Sequence, residues 1–244
     1  MKYIIILKNN KKEEKFKQIY EGSEKKFLLE NLSKNSNYEI GIYSTFDNIM
    51  SNIIYKSFNT INLIIDSNIL SELGRQDEFL EKINEWYGFT KYDLLYRGTR
   101  DGSSSEAFHE KCDDKGPTLC LYKNDIGNIF GGYASISWKR DDGTQTAKDS
   151  FIFTLTNIFG IEPTKFTDKN TNKNVHHDPD YGPSFGEHSS DISIYGDFLK
   201  KDSYSVFPER YDDTIGKGKC IFTGNTNSSK TELKIKEIEV FKVS

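Results

Sequence analysis

The span from Leu94 to Leu119, LLYRGTRDGSSSEAFHEKCDDKGPTL, constrains the local fold more than any other part of this 244-residue chain. Leu94 and Leu95 end an apolar run, and Arg97 and Arg100 flank a tight Gly98-Thr99 step. Asp101-Gly102 reads as a turn, because glycine takes positive φ without steric cost. Ser103 and Glu106 have capping-box spacing, in which hydroxyl and carboxylate satisfy orphan amides at a helix start. Phe108 and Cys112 share one helical face, and Gly116-Pro117 ends the helix. The span therefore predicts a strand, a turn and a capped helix in close succession.

The rest of the chain divides by composition. All five prolines lie at Pro117 and beyond, while the first 116 residues are rich in Lys, Asn and Ile. Short strands are predicted over 3–7, 16–20, 26–29, 38–43 and 53–58, with Tyr38, Ile40 and Ile42 alternating onto one face. A strand-like NLII follows Asn62. Residues 72–87 predict an amphipathic helix with Phe79, Leu80, Ile83, Trp86 and Tyr87 on its apolar stripe and Gly88 just past its end. Further strands are predicted over 118–123, 128–138, 151–157, 192–195, 219–223 and 233–243. In the last, the apolar alternation changes parity between Leu233/Ile235 and Ile238/Val240, which calls for a bulge near Lys236. Gly131-Gly132 inside a strand marks a bulge or a close backbone approach. Aromatic content of 14% against 35% hydrophobic content suits aromatic-rich β cores under a polar surface.

Five ordered blocks resemble the TLDc domain of the oxidation-resistance family: LLYRGTRDG, FHEKCDDKGPTL, FGGY at Phe130, Tyr181 to Gly186, and the closing EIEVFKV with Glu237 and Glu239. Residues 1–60 resemble part of a fibronectin type III sandwich, with Leu32 six residues before Tyr38 as at a tyrosine corner. The opening strands of that fold have no counterpart before Met1, which leaves truncation, docking on the following domain or completion by a partner. The expected fold class is mainly β with flanking helices (α+β). It comprises an incomplete fibronectin-like sandwich over 1–60 and a TLDc-type antiparallel β-sandwich surrounded by short helices over 61–244. In that resemblance Gly102, Ser103, Glu106, Gly116, Pro117, Gly131, Gly132, Gly186, Glu237 and Glu239 are structural-motif residues.

The resemblance implies a non-catalytic interaction module. Its role would be protection against oxidative stress through binding to peripheral subunits of the vacuolar proton-pumping ATPase. A cytoplasmic location, with recruitment to acidic organelles, goes with that role. The formal net charge of −4 argues against general nucleic-acid binding, and no apolar run reaches the roughly 18–20 residues needed to cross a bilayer. Cys112, Cys120 and Cys220 have neither disulfide nor zinc-knuckle spacing. No cofactor is implied.

Polar contact candidates are Arg97, Arg100 and Asp101, whose alternative is an internal ion-pair network. Trp138 reads as core or interface anchor, and Glu187, His188 and Asp191 lie where family glycines are replaced. His176, His177, Asp178 and His188 offer metal-type ligands, although no compact motif frames them. A solvated polar loop is the simpler reading, and the alternative is a metal-dependent hydrolase or antioxidant enzyme. Cys112 with His109 has one-turn spacing, but Cys112 falls at the helix C-terminus, where the dipole disfavours a thiolate.

Overall fold

A computed structural model describes residues 1–10, 15–29, 32, 36–47, 49–59, 65–169, 173–226 and 231–244. Contacts divide the chain into two compact units, Met1–Asn62 and Leu63–Ser244.

The first unit contains β1 (Lys2–Asn9), β2 (Lys17–Gly22), β3 (Asn37–Phe46), β4 (Ile49–Met50) and β5 (Ile54–Asn59). They form one antiparallel sheet in the order β2–β1–β3–β4, with β5 also paired to β3. Tyr38 is buried, and its hydroxyl accepts a hydrogen bond from the Asn9 side chain at 3.2 Å. The strand expected over 26–29 does not form; instead the Phe27 ring rests 4.8 Å from the Tyr20 ring. The predicted strand after Asn62 falls mostly outside the described residues.

The second unit begins with two helices, α1 (Asn68–Ser71) and α2 (Gln76–Tyr87). Helix α2 starts later than the apolar stripe predicts because Gly74 sits at φ +64° and separates it from α1. Gly88 ends it in the left-handed conformation, as its position demands. Next come β6 (Tyr92–Arg97), α3 (Gly98–Asp101), α4 (Ser105–Cys112), β7 (Thr118–Asn124) and β8 (Ile129–Ala134). Then follow β9 (Gly143–Gln145), β10 (Phe151–Thr156), β11 (Thr164–Thr167), β12 (Val175–His177), β13 (Ser184–Phe185) and β14 (Ser203–Tyr204). The chain closes with α5 (Cys220–Thr223), β15 (Glu232–Leu233) and β16 (Ile235–Val243).

The main sheet runs β11–β10–β8–β7–β16–β6, and a smaller sheet runs β13–β12–β9. Every strand pair in both is antiparallel. Alternation along β7 sorts the core. Leu119 and Leu121 face Phe79, Leu80 and Ile83 of α2, while Cys120 and Tyr122 face the opposite layer with Trp138 and Phe185. The main sheet is thus covered by helices on one face and by the small sheet on the other. The register of β16 against β7 shifts between Ile235 and Glu237, which is the bulge the parity change predicts.

Gly131 and Gly132 of β8 show why this strand has no side chains at its centre. A Cβ on Gly131 would collide with the Cys120 carbonyl and come within 2.6 Å of the Phe153 ring. One on Gly132 would meet the Phe185 ring at 2.5 Å, so both faces of the sheet close onto backbone here.

Four local expectations are corrected. The cap of α4 is Ser104, which accepts from the Ala107 N–H, because the Ser103 hydroxyl donates instead to Asp197 Oδ1 at 2.6 Å. The helix ends at Cys112, well before Gly116-Pro117, since Asp113 is already extended and its carboxylate meets His109. Residues 220–223 form a helical turn rather than a strand, a known ambiguity of short apolar runs. Residues 192–195 make only isolated bridges, to Phe185, Tyr204 and Tyr181.

Candidate functional site

The turn from Arg97 to Gly102 is held from the last strand. Glu237 accepts the Thr99 N–H at 3.1 Å and also the Thr99 hydroxyl. Two residues on, fully buried Glu239 accepts Arg97 Nε at 2.8 Å, the Asn68 N–H at 2.8 Å and the Ser67 hydroxyl at 2.5 Å. Arg97 also donates to the Asp66 carbonyl at 2.8 Å. Desolvation opposes the charge on Arg97, but the bonds to Glu239 and Asp66 outweigh it and raise the guanidinium pKa. Arg97 is therefore a buried clamp joining β6, β16 and the start of α1, not an exposed contact residue. Arg100 projects outward and pairs with Asp101, whose carboxyl it holds below the usual range.

Trp138 is 1% exposed and also leaves the contact list. Its ring packs edge-on against Phe108 at 5.6 Å and Phe185 at 5.8 Å, and its Nε1 donates to Thr118 Oγ1 at 2.8 Å. Asp191 is fully buried as well. Its carboxylate accepts the Glu209 and Arg210 N–H groups, each at 2.9 Å, and so ties two loops together. Backbone donors of this kind lower a carboxyl pKa, yet desolvation dominates and pushes Asp191 up to about 6. The folded value thus lies above the ordinary 3.8, and the folded state binds the extra proton between the two. Stability should fall as pH rises from about 4 to about 7, by up to about 3 kcal/mol from this one group. Urea unfolding of wild type and Asp191→Asn across that range should show wild type losing ground to the variant. Parallel curves would remove Asp191 as the cause.

In the segment expected as a solvated loop, His176 and His177 instead belong to the buried strand β12, while Asp180 and His188 are exposed outside any strand. Alternation along β12 sends His176 and His177 to opposite sides. His177 lies 6.0 Å from the Trp138 ring with Nδ1 3.1 Å from Asp141, so it does not join a common ligand set with His176. His176 lies across from Thr144 of β9, and its Nε2 is 3.7 Å from Asp178. Burial lowers the pKa of both imidazoles and favours their neutral form. Glu187 is half-buried between Lys173 and Arg210. His188 is exposed and takes φ +49°, a conformation that the replaced glycines would adopt more easily.

The TLDc domain family profile matches residues 58–244. The chain belongs to the TLDc domain family. No curated protein matches it. In this TLDc domain Cys112, Cys120 and Cys220 are all free and buried. Burial pushes the Cys112 thiol up, and that of Cys120 up to about 12, so neither presents a thiolate at neutral pH. His109 is not turned to Cys112: its Nδ1 is 2.8 Å from Asp113 and its Nε2 is 3.0 Å from the Asp178 carbonyl. A cleft of about 400 Å³ is lined by Trp86, Tyr87, Lys148, Phe151 and Lys165 among others. Lys165 is already engaged there, with Nζ over the Phe151 ring at 5.3 Å. No helix among the described residues is long and apolar enough to span a membrane.

Sequence reasoning overlooked Asp66, Ser67, Asp142 and Thr144. Ser67 carried a usable signal, a serine directly before an apolar helical turn. The others are recognisable only through strand partners far away in the chain.

Proposed function

We propose that this TLDc protein is a non-catalytic interaction module that contributes to oxidative-stress protection by binding peripheral subunits of the vacuolar proton-pumping ATPase in the cytoplasm. The observation that carries this reading is the family match over 58–244. It is supported by the inward burial of the thiols, which leaves no activated nucleophile among them. With Arg97, Trp138 and Asp191 inside, the contact surface narrows to Arg100 and the exposed loop at His188. Immobilised full-length protein should retain the detached peripheral sector of the ATPase, and Arg100→Ala should weaken retention at least threefold while leaving thermal unfolding unchanged. Failure of folded wild type to retain the sector overturns the proposal.

A further inference from the structure

The register of β9 against β12 pairs Thr144 with His176 and Gly143 with His177. Asp142 and Asp178 lie just beyond this paired end, directly before β9 and directly after β12. Thr144 and His176 share one face of this ribbon, and His177, on the other, meets Asp141. Two carboxylates held close together repel one another unless a positive group lies between them. Among the described residues neither Asp142 nor Asp178 has a lysine or arginine partner; Asp178 Oδ1 accepts only the Asp180 N–H, at 2.8 Å.

His176 points into the same space. It is 6% exposed, its Nδ1 lies 3.2 Å from the Thr144 hydroxyl, and its Nε2 faces Asp178 Oδ2 at 3.7 Å. A ligand imidazole is commonly held in this way, with the second nitrogen fixed by an outer partner. One ligand atom from each of Asp142, His176 and Asp178 lies within 4.8 Å of the others. Donors about 2.0–2.2 Å from a common ion are at most about 4.4 Å apart. A small rotation of exposed Asp142 closes that difference. The His188 ring, 6.1 Å from that of His176, is within reach of a fourth position.

We propose that Asp142, His176 and Asp178 bind a divalent transition-metal ion of the zinc type. An imidazole nitrogen with two carboxylates suits zinc or manganese, whereas calcium and magnesium take oxygen ligands almost throughout. The test is calorimetric titration of the full-length protein, cleared of metal by chelation and dialysis, with zinc chloride. One zinc ion per chain is expected, with calcium chloride giving no heat above dilution. Asp142→Asn, at an exposed position, should leave thermal unfolding unchanged and weaken zinc at least about tenfold. His176→Gln should abolish the one-to-one step, and cobalt(II) added to wild type should show visible ligand-field bands that this variant lacks. Absence of one-to-one binding in folded wild type overturns the proposal. So does an Asp142→Asn affinity equal to that of wild type, which would make zinc binding a property of a surface imidazole alone.

Discussion

Glu239→Ala should cost the Leu63–Ser244 unit about 3–5 kcal/mol, a large share of the roughly 5–15 kcal/mol that holds a typical domain folded. The carboxylate has no exposure and serves three donors at once: the Arg97 guanidinium, the Ser67 hydroxyl and the Asn68 N–H. Removing it strands a guanidinium that retains only Asp66, and it leaves two donors at the first turn of α1 without acceptors. Glu239→Gln keeps the shape and part of the bonding, so its loss should be smaller than that of alanine. Both tryptophans of the chain, Trp86 and Trp138, lie in this unit, so fluorescence-detected urea unfolding reads it directly. A loss below about 1 kcal/mol for the alanine variant would mean that the network is dispensable.

Trp138→Ala should cost a comparable amount, about 3–5 kcal/mol. The indole fills space between Phe108 of α4 and Phe185 of β13, so its loss opens a cavity where the helix, the main sheet and the small sheet meet. The Thr118 hydroxyl loses its partner as well. Trp86 fluorescence and far-ultraviolet dichroism remain available to follow unfolding. Unchanged stability combined with lost ATPase binding would return Trp138 to the role of an interface anchor and refute its placement in the core.

These two residues show where reading the chain by itself loses force. Arg97 and Trp138 are polar and amphipathic side chains whose exposure depends on what lies across from them. The partner of Arg97 is Glu239, 142 positions away, and no periodicity near Arg97 reports it. Ser103 and Ser104 are both competent caps by type. Asp197, reached only through the tertiary fold, takes one hydroxyl and leaves the other for the helix. The two adjacent histidines look like one metal-binding pair until the strand forms, after which pleating sends them to opposite faces.

What the chain determines without its tertiary context is everything governed by a residue's immediate neighbours. The left-handed stop at Gly88, the positive φ of Gly102, the bulge near Lys236 and the close approach at Gly131-Gly132 all follow from steric permission or side-chain parity within a few residues. The β-rich class and the TLDc blocks belong to the same level. Tertiary structure decides which charges are buried, which serine caps, and that Asp142 stands beside His176 and Asp178. Those outcomes depend on strand pairing between distant segments, and pairing energy comes from burial and register that no short stretch of sequence contains.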